Sequence, residues 1–301
     1  MTSSVRLPLP DPNNAAETSP MPEPVRVASR HRWHQLLRRP SFQAGLVIVL
    51  FWGLCALVAP MLPWLDAYCT DPMNALLPPS FHHWFGTDQI GRDVFARVLV
   101  GSRDILTIAP LATVIGTVLG TALGLALGYF GGRFDAICSR VLDAILALPM
   151  IIVALLALTA LGPSNTTIVL IIGMSFAPIT ARTVRSAVLG ERSLDYVKSA
   201  QLRGESSIYI MFVEILPNVV APILVEATVR LGYGIFAVAT LSFLGFGVQP
   251  PSPDWGLAMA NNYTLMASGA WWTVAFNAIA IASMVIAIHL LADNVQEVSA
   301  Q

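Results

Sequence analysis

Six apolar stretches punctuate the chain, at Phe42–Leu65, Ile105–Phe130, Val141–Leu161, Thr166–Val188, Val219–Phe246 and Trp271–Ala292. A helix that crosses a hydrocarbon core about 30 Å thick at 1.5 Å per residue needs about 20 residues, and each stretch meets that length. The pattern predicts an all-α integral membrane protein with six transmembrane helices. The first stretch is too long for a secretory signal and reads as a retained anchor. Prolines 110, 149, 178 and 222 fall in or beside these segments. Membrane helices tolerate proline where neighbours satisfy the freed carbonyls. Residues 1–40 are rich in Pro, Ser, Asn and Arg without apolar periodicity, which predicts a disordered tail. The division that follows is a tail at 1–40, a first helix at 41–65 and a loop at 66–104. A five-helix core at 105–293 contains a polar loop at 190–214, and a tail occupies 294–301.

Inside the apolar stretches two patterns stand out. Gly116, Gly120, Gly124 and Gly128 recur every fourth residue and form a helix face without side chains, suited to close packing in lipid. Glu226 and Arg230 lie about 13 and 20 Å beyond Pro217 along a helix, near mid-membrane. Ionisable groups at that depth face a bundle interior or a watery cavity. Two readings stand: an ion pair that locks one helix against a neighbour, or a lining of the solute path.

The polar interruptions carry their own signals. "YVKSAQLRGESSIYI" at 196–210 predicts a short helix with Ser193 as N-cap and Gly204 as stop, then a second helical stretch that re-enters the membrane at Pro217. Small residues at Ala200 and Gly204 offer a surface that a partner can approach closely, in the manner of a helix seated in a groove. The same spacing also suits a plain interfacial loop. In "GTDQIGRDVFARVLV", Asp93 and Arg97 stand four apart with Ile90, Val94 and Val98 along one side. That predicts an amphipathic helix lying on the outer membrane surface. In "FGFGVQPPSPDWG" the glycines end a helix, the prolines stiffen the exit and Trp255 suits an interfacial anchor.

Composition agrees with a membrane protein. Of 301 residues, 55% are hydrophobic and 12% charged, against about 25% charged in soluble domains. A net charge of −1 implies no nucleic-acid partner. Cys55, Cys69 and Cys138 are too dispersed for a disulfide framework or a zinc site, and the His82–His83 pair reads as two loop histidines, with metal binding as the alternative. No metal site is expected. Arg26, Arg30, Arg32, Arg38, Arg39, Arg133, Arg140, Arg182, Arg185, Arg192, Lys198 and Arg203 fall on one side of the predicted helices, and Arg92, Arg97 and Arg103 on the other. That bias places both termini and the 196–210 segment in the cytoplasm, and Cys69 outside. Arg38–Arg39 then holds the flank inside rather than serving as a twin-arginine signal. The sole lysine, Lys198, does not stand in a phosphate-binding loop, so ATP hydrolysis and any cofactor belong elsewhere.

"SAQLRGESSIYIMFVEILP" resembles the cytoplasmic loop of bacterial ABC-importer permeases, whose motif runs E-A-A, three residues, Gly, nine residues, I-x-L-P. Lys198-Ser199-Ala200 occupies the first slot, Gly204 matches, Leu216-Pro217 falls at the motif's spacing, and Glu214 stands at its Ile position. "FGTDQIGRDVFARVLVGSR", "GYFGGRFDAICSRVLDAILALP" and "LSFLGFGVQPPSPDWG" are similar to the second permease of dipeptide and oligopeptide importers. The resemblance covers about Leu36 to Asp293. The ending "ADNVQEVSAQ" departs from the family's G-D-x-L-R-D-x-L-D-P, which affects any contact that tail makes.

The resemblance implies the ABC type-1 importer permease fold in a bacterial cytoplasmic membrane. It also implies an ATPase-docking loop that includes Tyr196, Ala200, Gly204, Glu205, Leu216 and Pro217. The implied partners are a homologous permease, two ATP-binding subunits that carry ATP and Mg, an extracytoplasmic substrate-binding protein, a peptide substrate and membrane lipid. The alternatives are a permease of the same family for nickel, glutathione or a modified sugar, and a secondary transporter. A secondary transporter would show internal repeats, and a membrane-embedded enzyme a convergent cluster of His, Cys or carboxylates; neither pattern is found.

Overall fold

A computed structural model describes residues 39–299. The tail predicted at 1–40 lies almost wholly outside the described residues. Among the described residues, and apart from short 3-10 turns, ten helices run in chain order: α1 Pro40–Val58, α2 Val94–Phe130, α3 Gly132–Leu146, α4 Met150–Leu161 and α5 Asn165–Arg192, then α6 Asp195–Leu202, α7 Ser207–Asn218, α8 Val220–Phe243, α9 Trp255–Asn262 and α10 Trp272–Ser299. Among the described residues there is no strand, only an isolated bridge between Thr87 and Asp93.

Among the described residues five helices (α1, α2, α5, α8 and α10) are each long and apolar enough to cross a membrane. The predicted third span, Val141–Leu161, is not one helix. It is divided between α3 and α4, which meet at a bend of 82°. Pro149 disfavours the helical region for the residue before it, and its own ψ of 122° is extended. Pro110 and Pro178 remain inside α2 and α5, which pack on each other along their length. Around Pro149 the chain is largely exposed. Pro222 sits in the first turn of α8, where backbone N–H groups have no helical partner. Six spans therefore result only when the bent pair is taken as one.

The centre of the molecule is the contact of α2 with α5. The glycine face predicted at 116–128 meets α5 in steady register. A Cβ added at Gly116 would stand 2.7 Å from Phe176, at Gly120 2.5 Å from Thr180, at Gly124 2.6 Å from Val184 and at Gly128 2.6 Å from Val188. Both numbers rise together, so the two helices run parallel. Around this seam Ile105, Ile108, Ile168, Ile172, Phe176, Ile235 and Val238 form the buried core, joined by Trp52 of α1 and Met284 of α10. Trp52 also donates to Ser283 of α10 across 3.0 Å.

Three further expectations change. The surface helix predicted from "GTDQIGRDVFARVLV" at 86–100 is no separate element: from Val94 onward it forms the first turns of α2, a single helix of 37 residues. Trp255 is no interfacial anchor, being fully buried against Trp52 with its indole N–H on the Val98 carbonyl at 2.8 Å. The tail predicted at 294–301 is helical through Ser299, with Asn294 bonded to Ser41 and Arg39 paired with Glu297.

Candidate functional site

At one end of the bundle, α6 and α7 fold back on each other as a helical hairpin. Ser193 is not the N-cap: its hydroxyl donates to the Gly190 carbonyl, and Leu194 occupies the cap position without a side-chain bond. Gly204 does stop the helix. Its φ of +80° lies in the left-handed region that favours glycine. The Gly204 and Glu205 amides close on the Gln201 and Ala200 carbonyls at 3.0 and 3.2 Å. Ser206 then caps α7 through the Tyr209 amide. The α7 helix is wound wide over Ile210–Ile215, a form common at functional sites.

The hairpin has a sealed inner face. Val197, Ala200, Ile210, Met211 and Ile215 bury together with Leu125 of α2 and Val184 and Val188 of α5. Ala200 is 0% exposed, so the expected outer surface at Ala200 does not exist. Its small side chain instead lets α6 settle on α7. The outward face carries Lys198, Ser199, Gln201, Arg203 and Gly204, with Leu202 at 89% exposure and Ile208 and Phe212 nearby in sequence on α7. Nothing stands within 4 Å of a Cβ placed on Gly204.

A chain of polar contacts ties this unit to the bundle. The Tyr196 hydroxyl donates to Glu191 at 2.6 Å and accepts from Asn218 at 3.2 Å, while Asn218 also donates to the Glu214 carbonyl at 2.8 Å. Burial, with the Glu191 carboxylate as acceptor, pushes the phenol up to about 12, so it stays a donor at neutral pH. Glu214, which departs from the motif's Ile, receives Arg203 at 3.1 Å and closes α6 on α7. Of the remaining expected docking residues, Glu205 and Leu216 are half-buried and Pro217 is exposed.

Glu226 and Arg230 form the anticipated pair, Nε to Oε1 at 2.6 Å, about 9 and 15 Å along α8 from Val220. Thr183 of α5 donates to the other Glu226 oxygen at 3.2 Å, and Arg230 lies 5.0 Å from the centre of the Tyr233 ring. Their side chains are only 13% and 15% exposed. A second pair escaped the sequence reading: Asp135 of α3 takes Arg185 of α5 in a two-pronged contact at 2.5 and 2.6 Å. Nothing local signals it, since 50 residues separate Asp135 and Arg185.

At the opposite end, Arg97 is 2% exposed. It does not pair with Asp93. It donates to the Ala67 and Ser252 carbonyls at 3.0 and 2.9 Å, clamping two loops on the start of α2. Asp93 instead caps Ala96 and binds His83 at 2.8 Å, so the His82–His83 pair is a loop pair with one member engaged. Among the described residues no group of three or more His, Cys, Asp or Glu is placed to hold a metal. Asp254 caps α9 through the Leu257 amide, and burial pushes its carboxyl up to about 6.

Comparison with known proteins gives two family matches. Residues 120–301 match the binding-protein-dependent transport system inner membrane component, and residues 29–79 match the N-terminal transmembrane domain of oligopeptide transport permease C. A Brucella suis protein described as a peptide transport system permease is 39% identical, over 88% of this chain and 88% of its own. The dipeptide transport system permease of Alkalihalophilus pseudofirmus is 36% identical, over 96% and 94%. A glutathione transport system permease of Escherichia coli is also 36% identical, over 94% of each. Among solved structures, the MetNI methionine ABC transporter in inward facing conformations has a chain of like fold. Its TM-score is 0.55 at 18% identity, over 67% of this chain and 96% of that one.

Proposed function

The chain belongs to the family of binding-protein-dependent transport system inner membrane components, the permeases of ABC importers, and on that premise we propose that it is one of two permeases in an ATP-driven importer of short peptides. The observation that carries the reading is the family match, which spans the α6–α7 hairpin. The peptide class rests on relatives named for peptide, dipeptide and glutathione transport. In this reading two ATP-binding subunits hold ATP and Mg, a binding protein delivers the peptide, and the outward face of α6 is the handle that an ATPase grips. Purifying the tagged chain from cells that express its operon partners tests the proposal. A P-loop ATPase should co-purify in detergent or nanodisc. A fully expressed chain that repeatedly brings none would overturn it.

The proposed orientation places both described ends and α6 in the cytoplasm of a bacterial inner membrane. Exposed Cys69 should then react with an impermeant maleimide in intact cells. Gln201→Cys, on the exposed face of α6, should react only in inverted vesicles, prepared from cells that express the permeases without the ATPase that would cover this face. Labelling of Gln201→Cys from outside reverses the orientation.

The Glu226–Arg230 pair is read as a lock rather than a lining. Its charges satisfy each other, Thr183 completes the carboxylate, and little of either side chain is exposed. Replacing both by Gln and Leu is expected to lower the melting temperature of the complex and the yield of assembled permease pair. An intact, equally stable complex with altered uptake of charged peptides would move the pair to the solute path.

A further inference from the structure

At the end of the bundle where Arg97 clamps the loops, α9 and α10 each present one asparagine to the same small cavity. Asn262 donates through Nδ2 to the Ala258 carbonyl at 2.7 Å, and Asn277 to the Thr273 carbonyl at 3.1 Å. Each bond goes back four residues along its own helix and fixes which amide atom is nitrogen, so both Oδ1 atoms are turned away from those carbonyls. Asn262 and Asn277 are each 2% exposed. Neither Oδ1 accepts a hydrogen bond from the described residues. The large majority of buried side-chain acceptors are paired in folded proteins, because an unpaired one keeps the full cost of leaving water.

The two residues line one space together with Asp88, Arg97 and Thr273. Its volume is about 10 Å³ for the centre of a water molecule, at the lower limit of what one water requires. Arg97 commits one N–H of each terminal nitrogen to carbonyls, so its guanidinium keeps further donors. We propose that this cavity is a binding site for a single water molecule, which donates to Asn262 Oδ1 and Asn277 Oδ1 and accepts from Arg97. The balance of donors selects the ligand: two acceptors need two protons from one small molecule, and a third wall supplies a donor. A sodium ion would also suit two amide oxygens. It is disfavoured because Arg97 brings positive charge to the same buried space and Asp88 is engaged by Arg92 at 2.7 Å. The water joins α9, α10 and the start of α2 at one point.

The test uses the assembled complex in nanodiscs. A map near 2 Å should show one solvent peak within hydrogen-bonding distance of both Oδ1 atoms, and its absence overturns the site. Asn262→Leu and Asn277→Leu should each lower the melting temperature by about 2–4 °C. The double variant should lose clearly less than the sum, because it removes the need for the shared water. Strict additivity overturns a shared ligand. Exchanging sodium for choline should leave the wild-type melting temperature unchanged. A saturable sodium dependence that disappears in Asn277→Leu assigns the cavity to a cation and overturns the water.

Discussion

Gly120→Leu is expected to prevent assembly of the protein. The first atom of any side chain at position 120 would stand 2.5 Å from the Thr180 Cβ and 2.8 Å from the Ala177 carbonyl. Real Cβ atoms do not approach so closely, and part of the obstacle is backbone. In lipid, helices gain little from hydrophobic burial against each other and depend on close packing. Separating α2 from α5 therefore removes the main attraction between them. Gly120→Ala should cost about 1–3 kcal/mol, the usual range for overpacking, and lower the melting temperature measurably. Gly53→Ala on α1 is the control: nothing lies within 4 Å of its added Cβ, and the expected change is within about 0.5 kcal/mol. Wild-type yield and melting temperature for Gly120→Leu would show that α2 and α5 do not meet in this register.

Gly204→Trp is expected to leave an inserted protein that does not transport. Gly204 lies in the exposed turn after α6, and nothing stands within 4 Å of a Cβ added there, so the side chain starts in open space. The φ of +80° adds a local cost of about 1–2 kcal/mol for a residue with a Cβ. Strain alone is separated by Gly204→Asn, since asparagine tolerates that conformation. The tryptophan variant should lose at least tenfold in uptake and in co-purified ATPase at near-normal expression, whereas the asparagine variant should keep about half or more of both. Uptake within twofold of wild type for Gly204→Trp would remove the docking role from α6.

Much of the architecture was legible because its signals are local. Apolar run length located α1, α2, α5, α8 and α10 to within several residues at most ends, and a four-residue glycine repeat found the seam though not its partner helix. Gly204 was legible as a stop because a left-handed residue has few alternatives. The errors share a cause: each depended on contacts distant in sequence. Ala200 reads as a small surface residue until α7 folds over it. Trp255 follows a proline-rich loop and reads as an anchor, yet Trp52, some 200 residues earlier, receives it. Asp93 and Arg97 have ideal spacing for a pair, but Asp93 serves the helix start and His83, and Arg97 serves Ala67 and Ser252. The break at Pro149 and the continuity at Pro110 look alike in sequence. They differ in packing: Pro110 lies in a helix pressed along α5, whereas the chain around Pro149 is largely exposed.

The length of α2 has a mechanical consequence. At 37 residues it extends about 55 Å, nearly twice the thickness of a hydrocarbon core. Near one end Gly128 is pressed on Val188, beside the packing that holds the α6–α7 hairpin, and near the other Arg97 grips two loops. A strut of these proportions exchanges angle for distance. A tilt of about 5° pivoting at Phe130 carries Val94 sideways by about 5 Å, the pitch of one helical turn. A rotation too small to disturb the packing at the hairpin thus arrives at the loops as a displacement larger than any hydrogen bond there can span.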